Sequence, residues 1–112
     1  MARRYRVRIT ESAEADVELL HNYIARDNPL AALRWRRKIL RLMQSLRIMP
    51  FRWEVIPEDL ALDREYRHAL LGNYRVIFRV EGDIARVIRV FHAARMLRCF
   101  DLRDDEPPSQ TV

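Results

Sequence analysis

The chain has 112 residues, 49% of them hydrophobic and 33% charged, with Lys+Arg 21 against Asp+Glu 16, a net charge of +5 and a pI near 10.1. That length supports one ordinary core and excludes two comfortable domains, so we expect a single domain over residues 1–100 and a disordered tail over 101–112. The lone Cys99 excludes an internal disulfide, no Cys/His set has metal-ligand spacing, and no apolar run approaches a membrane span.

No cofactor, metal or membrane is therefore expected. The N-terminal MARRYRVRI is basic but lacks the apolar centre of a signal peptide, which places the expected location in the cytoplasm. The excess positive charge favours a polyanionic partner, RNA or an acidic protein segment, because the summed field attracts such partners before contact. The alternative is a soluble domain with a basic face.

Tyr5, Val7 and Ile9 alternate with Arg6 and Arg8, the period of a strand with one buried face. Thr10 to Ser12 ends it, and Ser12 is the expected N-cap of a helix with Glu14 and Asp16 near the positive end of its dipole. Ala13, Val17, Leu20 and Ile24, with Tyr23 beside them, give that helix an apolar face of about four turns. Asn28-Pro29 then starts a second helix, asparagine capping and proline at the first helical position. It should run to about Leu46 on a stripe of Trp35, Ile39, Leu42 and Leu46. Only Arg26 to Asn28 separates the two, so they fold back as a helical hairpin. The second helix carries Arg34, Arg36, Arg37, Lys38 and Arg41 on its other side, either a solvated face or a docking surface for an acidic partner or nucleic acid.

Arg47 to Arg64 has no clean period and contains Pro50 and Pro57, which predicts an irregular connection. Phe51, Trp53, Val55 and Ile56 are too apolar for a free linker and should pack on the domain edge or in a homodimer contact. Three strand-like runs follow, Tyr66 to Leu71, Tyr74 to Val80 and Ile84 to His92, separated by Gly72-Asn73 and Glu81-Gly82-Asp83. Both glycines of the chain fall at these reversals, the pattern of an antiparallel meander. Tyr74, Val76, Phe78 and Val80 share one face of the middle run, and Arg75, Ile77 and Arg79 share the other, so we expect one core face and one basic face. The last run is apolar at both parities and should be central in the sheet. Met96 to Leu102 could add a short helical turn before DDEPPSQTV.

The segments AEADVELLHNYIARDNP, REYRHALLGNYRVIFRV and RVIRVFHAAR, in that order and at those distances, resemble the RelE/ParE superfamily of type II toxin–antitoxin toxins over residues 5–96. The resemblance implies an α+β fold of order β-α-α-β-β-β, with a helical hairpin packed on a small, mainly antiparallel sheet. It also implies one of two actions. ParE-like members inhibit DNA gyrase without cleaving RNA, whereas RelE-like members are ribosome-dependent endoribonucleases acting on mRNA.

In the RelE-like case the matched positions are Arg67, Arg75 and Arg95, with His92 as the available acid or base. Arginine itself holds its proton too tightly to serve as either. The C-terminal tyrosine of RelE-like enzymes has no counterpart in MLRCFDLRDDE, and the long helical hairpin is also closer to the ParE-like branch, which is the favoured reading. His92 is then structural or binding, His21 and His68 are surface or packing residues, and Tyr74 belongs to the core. Either branch implies a cognate antitoxin as partner, with Trp35, Arg36, Arg37, Phe51 and Trp53 as candidate contacts. An inactive relative retained as an antitoxin-binding or promoter-repressing module is a third reading.

Overall fold

Gly72 and Gly82 adopt positive φ, 54° and 61°, and each closes a tight turn that a side chain would strain. Those two turns set the meander. The computed structural model describes residues 3–58 and 64–95 together with Arg98, Asp101 and Leu102. In chain order the elements are β1 (Arg6–Ile9), α1 (Glu11–Ala25), α2 (Pro29–Ser45), a 3-10 turn (Pro50–Arg52), β2 (Arg67–Leu71), β3 (Tyr74–Glu81) and β4 (Ile84–His92). The strands form one sheet in the order β1-β4-β3-β2, in which β1 runs parallel to β4 and the other pairs are antiparallel. The expected α+β order and mainly antiparallel sheet are present, and β4 is central as its two-sided apolar pattern requires.

Both helix starts are capped by side chains. Asn28 accepts from the Ala31 N–H at 3.0 Å, with Pro29 at the first helical position, as the sequence indicates. At α1 the cap is Thr10 and not Ser12: the Thr10 hydroxyl accepts from Ala13 N–H at 3.1 Å and donates to Ile88 O at 2.9 Å. The second bond explains the choice, since only the residue between β1 and α1 can cap the helix and bind β4 at once. Such a cap contributes about 1 kcal/mol.

A register shift between Ile77 and Phe78 leaves Ile88 as an extra residue, because Phe78 pairs with Val87 while Ile77 pairs with Arg89. The bulge switches the parity of β4. Ala85 and Val87 before it, and Val90 after it, join the helix-side core with Val17, Trp35, Ile39, Met43, Leu46, Val76 and Phe78. Ile88 and Phe91 point to the opposite side, where they pack with Ile56, Tyr66, Ile77 and Leu102. Burying each such side chain contributes about 1.5 to 3 kcal/mol.

That second cluster covers the basic face expected on β3. Arg75 and Arg79 are only 5% and 3% exposed, because the connection and Leu102 fold across this side and carboxylates accompany them. The connection also pairs with β2: Ile56 N–H donates to Tyr66 O at 3.0 Å and His68 N–H to Glu54 O at 3.1 Å. Ile56 is buried and Trp53 packs against the core, whereas Phe51 and Val55 remain exposed. Near the C-terminus Asp101 N–H donates to Arg98 O at 2.9 Å, and Asp101 and Leu102 are buried. The rest of the expected tail, and Met96, Leu97, Cys99 and Phe100, lie outside the described residues.

Candidate functional site

Facing residues of an antiparallel ladder project to the same side of the sheet, so register places the four candidate catalytic residues. Arg67 faces Phe78 and His92 faces Tyr74, both on the helix side. Arg75 faces Leu70 and Phe91, on the other side, and Arg95 stacks there over Phe91 with its guanidinium carbon 4.2 Å from the ring centre. The structure therefore brings Arg75 and Arg95 to one side, around Phe91, and leaves His92 and Arg67 on the opposite one.

Arg75 is the centre of a cluster that the sequence motifs did not signal. Its two terminal nitrogens donate to the two carboxylate oxygens of Glu58 at 2.7 and 2.8 Å, and its Nε donates to His68 Nδ1 at 3.1 Å. Such a bidentate pair neutralises the guanidinium and fixes its plane. Because His68 Nδ1 accepts, the imidazole is neutral with its proton on Nε2. Burial lowers the His68 pKa from the ordinary 6.5, the nearby Arg75 charge lowers it further, and Glu58 and Glu54 oppose both.

Arg95 donates to Asp101 Oδ1 at 2.8 Å, and Asp101 Oδ2 accepts from the Arg98 N–H at 2.9 Å. Arg89 shares the Phe91 ring from 4.9 Å, clamps both oxygens of Asp16 at 2.7 and 2.9 Å, and donates to Asp101 O at 3.0 Å. His92 is exposed and sits at the end of an edge-on aromatic series, 5.4 Å from Tyr74, which is 5.2 Å from Trp35. Its Nδ1 accepts from Ala94 N–H at 3.1 Å, so the ring shapes the turn after β4. Arg67 donates to Trp53 O at 2.7 Å and to Glu65 at 2.8 Å, and lies 5.0 Å over Phe51.

Among the candidate antitoxin contacts, Arg37 and Phe51 are exposed, and Arg36 reaches Glu18 at 3.4 Å. Trp35 is 8% exposed and packs in the core against Tyr74, because its place in the apolar stripe decides its environment. Trp53 is half-buried and likewise turned inward. Phe51 lines a shallow apolar dish of about 510 Å³ with Tyr5 and Met49, flanked by Arg3 and Arg52.

One charge pattern was missed although its signal is in the sequence. Arg8, Arg86 and Arg79 are register partners on three adjacent strands, an arginine row on the side away from the helices. Glu81 lies 3.2 Å from Arg79 and 4.0 Å from Arg86, while the buried Arg86 Nε has no hydrogen-bond partner among the described residues. Among the described residues no group of three or more His, Cys, Asp or Glu side chains is placed to hold a metal, and no helix is long and apolar enough to cross a membrane.

In solved structures, the chain is similar to a chain of the chromosomal ParDE toxin–antitoxin system from P. aeruginosa, at TM-score 0.66 and 19% identity, covering 81% of this chain and 98% of that one. It is also similar to a chain of the toxin–antitoxin complex RelBE2 from Mycobacterium tuberculosis, at TM-score 0.58 and 23% identity, covering 82% and 94%. No curated protein matches its sequence. The family model of the ParE toxin of the type II toxin–antitoxin system parDE matches residues 7–97, from β1 to just beyond β4, and the chain therefore belongs to the ParE toxin family.

Proposed function

We propose that this type II toxin inhibits growth by binding DNA gyrase in the cytoplasm and does not cut RNA, and that a cognate antitoxin neutralises it. One observation carries the reading: the residues an RNA-cleaving site would combine are divided between the two sides of the sheet. Cleavage by 2′-OH attack needs a base, an acid and cations within hydrogen-bond reach of one phosphate. Here His92 faces the helix side while Arg75 faces away, held by Glu58. Inhibition by binding requires only a shaped surface.

A specific observation favours a second reading, a ribosome-dependent mRNA endoribonuclease. His68 is neutral and hydrogen-bonded to Arg75, so an imidazole base and a guanidinium lie together on the side away from the helices. The test is induction of the chain alone in bacteria, scoring the DNA-damage response and plasmid topology beside mRNA cleavage in the same cells. Gyrase-linked breaks with intact messages, unchanged by His68→Gln, are expected. Codon-positioned cleavage that His68→Gln abolishes would overturn the binding reading and make His68 the base.

A further inference from the structure

One face of α2 carries cations that the fold does not use. Arg34, Arg37, Lys38 and Arg41 are all exposed and stand three or four residues apart, so they share one side of the helix. From Arg34 to Arg41 the stripe is about 10 Å long, at roughly 1.5 Å per residue. α2 contains no Asp or Glu, and among the described residues none of the four cations meets a carboxylate. Arg36, on the flank toward α1, does: it reaches Glu18 at 3.4 Å.

That arrangement works against the helix. Arg34 with Lys38, and Arg37 with Arg41, are like charges one turn apart, which repel. None of the four lies in the last turn, where the helix dipole would favour a cation. Packing does not call for them either, since the buried side of α2 is Ala32, Trp35, Ile39 and Met43. A merely solvated face would be served better by glutamates interspersed with the cations. A patch of one sign without internal counter-charge is instead the footprint of a polyanion.

We propose that this face of α2 binds the phosphate backbone of double-stranded DNA. About 10 Å of duplex carries roughly six phosphates, three on each strand, so the stripe is long enough to answer three or four at once. Three of its four cations are arginines, whose planar forks match phosphate oxygens. Other anions fit less well. Protein interfaces deplete charge at their centre and place apolar side chains there. Here the centre is charge: the exposed Leu30, Leu33 and Leu40 border the patch, and at about 100° per residue none falls between its cations. Unpaired bases need an aromatic platform, and the only aromatic residue of α2, Trp35, is buried on the opposite side. A lipid surface takes up the apolar side of a helix, which in α2 already belongs to the core. Backbone contact alone carries no sequence information, so the binding is indifferent to sequence. That the duplex is the DNA held by gyrase rests on the gyrase reading above; the affinity of α2 for a duplex does not.

The test titrates the full chain into a fluorescein-labelled DNA duplex of about 20 base pairs and arbitrary sequence, following anisotropy from about 50 to about 200 mM salt. Binding is expected, with log affinity falling against log salt at a slope of about −3. Arg34→Gln, Arg37→Gln and Arg41→Gln combined should weaken it about tenfold or more and flatten the slope to about −1. Thermal stability of that variant should hold or rise, because repulsion along α2 is relieved. Lysine at the same three positions keeps the charge and should keep the slope. Arg6→Gln with Arg8→Gln, on the side of the sheet away from the helices, should leave binding unchanged. A chain that does not bind the duplex, or whose triple glutamine variant binds it as before, would overturn the proposal. So would tighter binding of an RNA duplex, single-stranded DNA or poly-glutamate, which would assign the face to that anion. Induction in bacteria separates this face from the gyrase reading. Duplex binding without DNA breaks would remove gyrase and leave the α2 face standing, whereas breaks undiminished in the triple glutamine variant would keep gyrase inhibition and take the duplex contact out of it.

Discussion

His68 is governed by neighbours with opposite effects. Burial and the Arg75 charge disfavour its protonation, Glu58 and Glu54 favour it, and the net pKa falls below 6.5. A histidine whose folded pKa is depressed sheds its proton on folding. The unfolded chain therefore binds more protons as pH falls from 6.5 toward the folded value, and stability declines across that window before levelling off below it. In the His68→Asn variant the side-chain oxygen can still accept from Arg75 but does not titrate. Thermal melts from about pH 7 to about pH 5 should show a shallower loss in that variant than in the parent. The same cluster makes Arg75 intolerant of simplification. Arg75→Ala would leave Glu58, only 13% exposed at its side chain, without its strongest partner, at a cost of about 3 to 5 kcal/mol in urea unfolding.

At the scale of elements, the junction of β1, α1 and β4 concentrates the most consequential side chains. β1 ends at Ile9, five residues short of where β4 ends relative to it, and side chains take over its edge. Thr10 binds Ile88 O, and Asp16 accepts from Val90 N–H at 2.9 Å while it clamps Arg89. Asp16→Ala should destabilise by about 3 to 5 kcal/mol, since it removes the carboxylate that clamps the half-buried Arg89 guanidinium and leaves the buried Val90 N–H without its acceptor. A double-mutant cycle with Arg89→Met should recover part of that loss.

This junction also marks where sequence reasoning stops. Gly72, Gly82 and Asn28-Pro29 act within a few residues of themselves, so the hairpin turns and the start of α2 were legible. Asp16 looked like a dipole partner because its true partners lie 73 and 74 residues away. Thr10 outranked Ser12 for the same reason. The irregular parity of β4 was visible, but the bulge at Ile88 behind it depends on pairing with β3. For the candidate site, the motif positions were legible, whereas their sides were not. Arg75 acquires Glu58 and Trp35 acquires Tyr74 only once the connection and helices close on the sheet.

At the scale of the whole molecule, the net charge of +5 acts before any contact is made. Association with an acidic partner should be steered by that field, and its rate constant should fall steeply as salt rises from about 50 to about 500 mM. The dissociation rate, set by the short-range contacts, should change much less. Stopped-flow mixing of the toxin with its antitoxin would measure both. A rate constant insensitive to salt would show that the arginine row and its neighbours do not face the approaching partner.

The parallel pairing of β1 with β4 has a consequence in time. Arg6 meets Ile84, so the first strand to leave the ribosome needs the last one to complete its ladder. The helical hairpin ends at Ser45, roughly fifty residues before His92, and at about 5 to 20 residues per second this opens an interval of some 2 to 10 s. Throughout it the apolar faces of α1 and α2 have no sheet to rest on. The sheet thus closes only when β4 has emerged, and a partner already present has those seconds in which to meet the exposed faces of the hairpin.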